Sequence, residues 1–465
     1  MTSTSRRLFG TAGALVVIGG VFVVSRIVEP LVAVGTAYKA KVLCSEVFVA
    51  GRGAGDVLSD MLIDDLRALR WIRATVDSTR RMTRARFVFL PARTARYDES
   101  LGCALLPRGA TGHEGLVRQA ASRRRSVLVP RESVAVVPPY VRKTLDVVLD
   151  DAFAEPDPAQ PRRTRAIVVV QHGAVVAERY AEGVGPDTPL MGWSMTKSVM
   201  NALIGVAARD GHLTFSNPVP VTRWKASGDA RARISLGDLL HMSSGLHFDE
   251  GQADASSDLF RMLYGASDMA AVAIAQPLET RPGTRWQYSS GTTMILSRLL
   301  RDALGDDAYW RFPREALFEP LGMTQAVLEA DASGTFVGSS YMYATAREWA
   351  RFGQLYLQDG VWADRRILPE GWVAYTRTPA PAAPAASYGA HFWLATPEEY
   401  RGPAVVLPPG MFQAVGHEGQ FVTVVPSHDV VIVRLGRTRY PSVWAHDRFV
   451  AAVLKALETH PGNAR

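Results

Sequence analysis

This chain predicts an α+β fold: one antiparallel sheet with strands from both ends of a domain, packed against helices contributed by the middle. Three observations carry that reading. A short, fully apolar strand, Ala166 to Val170, reaches the turn residues His172-Gly173 and is followed by a returning strand, Val175 to Tyr180. A second apolar run, Val422 to Leu435, is broken at Pro426 to Asp429 and reads as another strand hairpin. Between the two hairpins, helical and strand patterns mix without a regular βαβ rhythm, and no internal repeat is visible.

Composition agrees with a large globular protein. Of 465 residues, 47% are apolar and 21% charged, which argues against wholesale disorder, a collagen and a polytopic membrane protein. The net charge of +7 is mild and carried almost wholly by arginine; the lysines are Lys39, Lys41, Lys143, Lys197, Lys225 and Lys455. The densest basic runs, Arg123 to Arg125 and Arg162 to Arg165, lie in linker-like stretches without interleaved aromatics, so no nucleic-acid partner is expected. Cys44 and Cys103 are too few for a disulfide scaffold and offer no metal-cluster spacing. One structural disulfide between them is open if the chain leaves the cytosol.

The N-terminus reads as an address to the membrane. Leu8 to Val24 is an uncharged apolar run preceded by Arg6-Arg7 and followed by Arg26. Seventeen helical residues span roughly 25 Å, and extension past Arg26 through Ile27 and Val28 brings the segment to a hydrocarbon core of about 30 Å. The basic residues at its start put the N-terminus in the cytoplasm and the rest outside. Ser5-Arg6-Arg7-Leu8-Phe9 also resembles a twin-arginine export signal, but no small-x-small cleavage site follows closely; Gly35-Thr36-Ala37 is far downstream. A membrane anchor with the remainder facing the periplasm or extracytoplasmic space is therefore expected.

Along the chain, Leu58, Met61, Leu62, Leu66 and Leu69 recur at helical spacing over Asp56 to Arg70. Arg84 to Leu90 and Ser126 to Val129 look like strands, and Lys143 to Phe153 like a helix. A Pro/Arg linker, Glu155 to Arg165, precedes the first hairpin. A helix from Val443 to Glu458 closes the chain.

The first chemical signal is Ser194-Met195-Thr196-Lys197, which opens a helix with the apolar stripe Val199, Leu203, Val206 and Ala207 and the stop Asp210-Gly211. Positions i and i+3 share a helix face, so the lysine amine can reach the serine hydroxyl. A serine must lose its proton as it attacks, and a lysine whose pKa is lowered by desolvation can take that proton. A serine at a helix start is also a common N-cap, so the pair alone decides little.

Context decides more. Gly192-Trp193-Ser194-Met195-Thr196-Lys197-Ser198 resembles the nucleophile motif of the serine β-lactamase and penicillin-binding-protein superfamily. Tyr288-Ser289-Ser290, before a helix at Thr293 to Leu304, resembles its Tyr-x-Asn station, and His417-Glu418-Gly419 its Lys-Thr-Gly station. Leu239 to Leu246 (LLHMSSGL), on a helix that starts with an apparent capping box at Ser235 and Asp238, resembles a segment of the class C and esterase branch. The texture around Arg285 to Thr293 is similar to the 6-aminohexanoate-dimer hydrolase-like group, and the stretches around Cys44 and Cys103 resemble those of its membrane-anchored members. The resemblance covers about residues 140 to 460. It implies a β-lactamase/transpeptidase-like fold with a helical subdomain. The organisation then reads as 1–30, anchor or export signal; 31–135, a region of unknown role; and 136–465, a serine hydrolase domain.

The resemblance also implies roles. Ser194 attacks a carbonyl and forms an acyl-enzyme, and Lys197 accepts or holds its proton. Tyr288 acts as base or relay, which requires its phenol to be acidified by Lys197. The main-chain N–H groups of Ser194 and Gln420 form the oxyanion hole. His417 and Ser290 contact substrate, and Tyr341, in Gly338 to Tyr343, lines the pocket. No cofactor or metal is implied; there is no HExxH, no phosphate loop and no Gly-x-Ser-x-Gly elbow for a Ser-His-Asp set using His172 and Asp238. Three departures stand out. Ser290 is shorter than asparagine and reaches a substrate through water or not at all. His417 replaces a permanently charged lysine, and Glu418 replaces a threonine and would repel a carboxylate. Together they favour an uncharged or amine-bearing ester or amide over penicillin. A D-amino-acid peptidase, a weak β-lactamase, and a non-catalytic peptidoglycan- or peptide-binding protein are the alternatives.

Overall fold

The structure, a computed structural model, describes residues 29–64, 67–88, 90–109, 135–215, 218–251, 256–402, 405–438 and 443–458. The expected membrane segment, Leu8 to Val24, and the expected strand Ser126 to Val129 lie outside them. Among the described residues no helix is long and apolar enough to cross a membrane.

The two hairpins meet in one five-stranded antiparallel sheet. Its order is Phe412–Gly416, Gln420–Val425, Val430–Gly436, Thr164–Gln171, Ala174–Tyr180, so strands from both ends of the domain pair at the centre. Val431 lies opposite Val170 and Val433 opposite Val168. Alternation then sorts the side chains. Ala166, Val168, Val170, Val431 and Val433 enter one core, while Ile167, Val169, Val430 and Ile432 enter another. Both faces are covered, which is why these strands read as unbroken apolar runs. The helix Ala346–Leu357 packs against the first face, and helices Pro139–Phe153 and His446–Glu458 pack together on the second. Each fully buried valine or isoleucine contributes roughly 1.5–3 kcal/mol to holding these central strands. The turn residues His172 and Gly173 take φ of 49° and 76°, the left-handed pair that a tight hairpin needs.

Local signals set the helices. Ser235 and Asp238 form the expected capping box at Leu236–Leu240, and Thr345 with Glu348 forms another at Ala346–Leu357. The expected helix over Asp56 to Arg70 is instead an α-helix, Ala54–Asp64, followed by a 3₁₀ turn, Arg67–Trp71. The expected strand at Arg84 to Leu90 runs from Met82 to Phe87.

Residues 29 to 105 are joined to this body by buried chemistry. Helix Glu29–Phe48 packs on a four-stranded antiparallel sheet, Ile72–Asp77, Met82–Phe87, Arg93–Asp98 and Gly102–Leu105, paired in sequence order. A disulfide links Cys44 on the helix to Cys103 on the last strand. Lys41 forms an ion pair of 2.5 Å with Glu329, with side chains 1% and 0% exposed. Ser45 Oγ and the Cys103 main-chain N–H also donate to the Glu329 carboxylate.

Candidate active site

Ser194 precedes the helix Met195–Arg209, in the N-cap position, yet its side chain makes no capping hydrogen bond. The hydroxyl is therefore not consumed by the structural role that a helix-start serine usually fills. Lys197, one turn on and 1% exposed, donates from Nζ to Ser194 Oγ at 2.9 Å. It also donates to Ser290 Oγ and to the Ser339 carbonyl, each at 3.0 Å. Burial pulls the lysine down to about 8, with the Glu250 carboxylate pulling the other way. The i,i+3 spacing thus delivers the predicted contact, and the fold adds the desolvation that makes the amine a usable base.

Tyr288 lies in the loop before helix Ser290–Leu304, with its ring 4.8 Å from Lys197 Nζ. It stacks on Trp393, with ring centroids 5.7 Å apart. Its surroundings run against the acidification that a base role requires. Burial and the nearby Glu250 carboxylate push the phenol up, so it remains an O–H donor at working pH. Of the pair, Lys197 has the lowered pKa and Tyr288 the raised one. The Leu239 to Leu246 segment supports this loop from behind: Gln287 N–H donates to the Met242 carbonyl and Gly283 N–H to the Ser243 carbonyl, both at 2.8 Å.

Ser290 is 1% exposed, and its polar groups are turned to Lys197 and Glu250. Its Oγ accepts from Lys197 and lies 2.5 Å from Glu250 Oε1, while its main-chain N–H donates to Glu250 Oε2 at 2.7 Å. Glu250 belongs to no motif of the sequence reading. The weak signal for it is position alone, a carboxylate four residues beyond the Ser-Ser-Gly-Leu run. Burial raises its pKa while Lys197 and the Ser290 groups lower it, and the net direction is up.

The third station is the turn His417-Glu418-Gly419 between strands Phe412–Gly416 and Gln420–Val425. A Cβ on Gly416 would stand 2.2 Å from the Gly192 carbonyl oxygen, so this strand end and the segment before Ser194 touch only because the residue is glycine. The Gln420 side chain is spent on the His417 and Gly436 carbonyls and the Gly436 N–H, which leaves only its main chain to serve the site. His417 packs edge-on against Trp193, with ring centroids 5.5 Å apart. Glu418 turns away from the role expected of it. Its carboxylate accepts from Trp193 Nε1 at 3.0 Å and pairs with Arg437 at 3.8 Å, and Arg437 holds it below the ordinary carboxylate range. Repulsion of a substrate carboxylate by Glu418 is therefore not part of this site. Tyr341 is a further correction. It is fully buried, with Lys41 Nζ 4.0 Å from its ring centroid and Trp193 on another side, so it packs beneath the site rather than lining a pocket.

Comparison with known proteins bears on the family and the fold. The family model described as Beta-lactamase matches residues 149–455. A 6-aminohexanoate-dimer hydrolase of Paenarthrobacter ureafaciens is 25% identical over 293 residues, covering 58% of this chain and 72% of that protein. A putative 6-aminohexanoate-dimer hydrolase from Bacillus anthracis superposes with a TM-score of 0.57 at 22% identity, over 70% of this chain and 87% of its own. A family VIII carboxylesterase does so with a TM-score of 0.53 at 15% identity, over 70% and 99%. These two structures share the α+β fold described above. With two thirds of its length matched and the serine–lysine–tyrosine cluster assembled, the chain belongs to the beta-lactamase family, as a serine hydrolase of the β-lactamase and penicillin-binding-protein-like superfamily.

Proposed function

We propose that this protein cleaves an ester or amide bond through an acyl-enzyme on Ser194, outside the cytoplasm. The observation that carries the proposal is a serine hydroxyl free of capping duty, 2.9 Å from a buried lysine brought down to about 8. Neutral Lys197 takes the Ser194 proton as Oγ attacks the carbonyl carbon. The oxyanion that forms is held by the main-chain N–H groups of Ser194 and Gln420. As the tetrahedral intermediate collapses, the one proton held by Lys197 passes to the leaving group, while the Tyr288 phenol keeps its own proton and only hydrogen-bonds to the departing atom. Water then attacks the acyl carbonyl by the same path in reverse.

A small uncharged or amine-bearing substrate fits best, since Glu250 brings negative charge beside Lys197 and His417 stands where relatives of this superfamily carry a lysine. The location is supported by the apolar run Leu8 to Val24 behind Arg6-Arg7 and by the Cys44–Cys103 disulfide, a bond at home in oxidising compartments. The test is hydrolysis of p-nitrophenyl butyrate by the full-length protein and by Ser194→Ala, with intact-mass detection of the acyl adduct. Turnover and adduct that vanish in the variant support the proposal. Equal rates in both remove Ser194 as nucleophile. No turnover in either leaves an inactive binding fold or an enzyme too selective for this ester, and intact-mass labelling of Ser194 separates the two.

A further inference from the structure

We infer that Glu250, acting through Ser290, is a positioning residue that aims the Lys197 lone pair at Ser194. The inference deepens the acyl-enzyme reading and rests on it. Neutral Lys197 has four directions at Nζ: the bond to its own chain, two N–H groups and one lone pair. Three polar atoms surround it, Ser194 Oγ at 2.9 Å, Ser290 Oγ at 3.0 Å and the Ser339 carbonyl at 3.0 Å. A carbonyl can only accept, so it takes one N–H. A serine hydroxyl can accept or donate, and the outcome at Ser290 decides the site. If Ser290 donated to Nζ, the lone pair would be blocked and Ser194 would face an N–H.

Glu250 removes that alternative. Its Oε1 lies 2.5 Å from Ser290 Oγ, and its Oε2 is occupied by the Ser290 main-chain N–H at 2.7 Å. A carboxylate held in this way accepts the Ser290 hydroxyl proton, so the oxygen lone pairs of Ser290 face Lys197. The second N–H of Lys197 is committed there, and its lone pair has only Ser194 left to meet. Capping the helix Ser290–Leu304 explains the bond to Oε2 but not the bond from Oγ to Oε1, because Ser289 Oγ already serves as the N-cap acceptor, for Thr292 N–H. The arrangement matters in this chain because Ser290 stands in the Tyr-x-Asn position with an ambivalent hydroxyl.

The charged and titratable groups around the pair are few. Lys197 faces Glu250, Tyr288 and the buried His391; Glu250 faces Lys197, Asp249, Tyr288 and Tyr388. His391 is driven by burial down to about 3 and is neutral throughout the working range, and Tyr288 keeps its proton. Glu250 is thus the group whose removal changes the charge felt by Lys197.

The experiment is the pH dependence of kcat/KM for p-nitrophenyl butyrate with the full-length protein and the variants Ser194→Ala, Glu250→Gln, Ser290→Ala, Ser290→Thr and Glu250→Gln/Ser290→Ala. Glu250→Gln is expected to lower the alkaline plateau about tenfold through kcat, a fraction of what general-base catalysis supplies. It is also expected to move the acid limb to lower pH, because the charge favouring the ammonium is lost. Ser290→Ala should lower the plateau while keeping the limb nearer its wild-type position, Ser290→Thr should restore the rate, and the double variant should be no slower than Ser290→Ala. A merely structural carboxylate would still move the limb through its charge, but it would leave the plateau at its wild-type height. A wild-type plateau in Glu250→Gln, with Ser194→Ala inactive, overturns the positioning role; so does additivity in the double variant. Activity in Ser194→Ala instead overturns the acyl-enzyme reading. If Glu250→Gln does not fold, an unchanged plateau in Ser290→Ala refutes the inference alone.

Discussion

Replacing Lys41 by methionine keeps most of the side-chain volume and removes one charge from a fully buried pair. Glu329, 0% exposed, would lose its ion-pair partner and keep, among the described residues, the donors Ser45 Oγ and the Cys103 N–H. Breaking a buried pair from one side costs about 3–5 kcal/mol, because an uncompensated charge stays behind. The two remaining donors place Lys41→Met at the lower end, about 3 kcal/mol, and the lost contact over the Tyr341 ring adds up to about 1 kcal/mol. Removing both charges in Lys41→Met/Glu329→Leu leaves no buried ion, so the double variant should be less destabilised than Lys41→Met itself. Urea unfolding followed by tryptophan fluorescence reads this directly. With a slope of about 3 kcal/mol per M, the single substitution moves the midpoint down by roughly 1 M. A single variant within a few tenths of a kcal/mol of wild type, or a double variant whose loss equals the sum of two large single losses, would falsify the claim that helix Glu29–Phe48 is fastened to the body through this pair.

Further outcomes are expected. Ester hydrolysis should rise with pH as the Lys197 ammonium, near 8, gives up its proton, because only the amine can accept from Ser194; a flat kcat/KM profile between about pH 6 and 9 speaks against a lysine base. Tyr288→Phe removes a donor but not the base, so kcat should fall about 10²-fold or more for a poor leaving group and far less for p-nitrophenolate. Comparing an amide with the activated ester checks it. Gly416→Ala drives a methyl group against the Gly192 carbonyl oxygen, a fixed main-chain atom, and should cost about 1–3 kcal/mol together with most of the activity. Thermal unfolding and kcat measured side by side would show whether both losses appear. Removing the Cys44–Cys103 bond, which closes 59 residues of chain, should destabilise by about 4 kcal/mol on the loop-entropy relation, seen as a lower urea midpoint in Cys44→Ala/Cys103→Ala.

Features that depend on neighbours in the chain were legible beforehand. Ser194 and Lys197 stand three apart on one helix, so their contact follows from helical geometry alone. The capping box at Ser235 and Asp238 and the His172-Gly173 turn are equally local, and the unbroken apolar runs marked the two strand hairpins. The order of the three motifs along the chain was enough to bring Tyr288 and the His417-Glu418-Gly419 turn to the serine by resemblance.

What the tertiary structure alone decided is the environment of each group. Whether Lys197 loses water, whether Tyr288 meets a cation or a carboxylate, and whether Glu418 faces substrate or Arg437 are set by elements far away in the chain. Glu250 lies 40 residues from Ser290, and Lys41 lies 288 residues from Glu329. Tyr341 sits in a polar-looking segment and is buried because helix Glu29–Phe48 places Lys41 over its ring. The fold class was legible from strand and helix patterning, and the Ser194–Lys197 contact from helical spacing, while their roles were legible only through the resemblance carried by the ordered motifs. Charge state, side-chain direction and burial were decided only by the folded chain, because desolvation and Coulomb interactions depend on distance in space and not on distance in sequence.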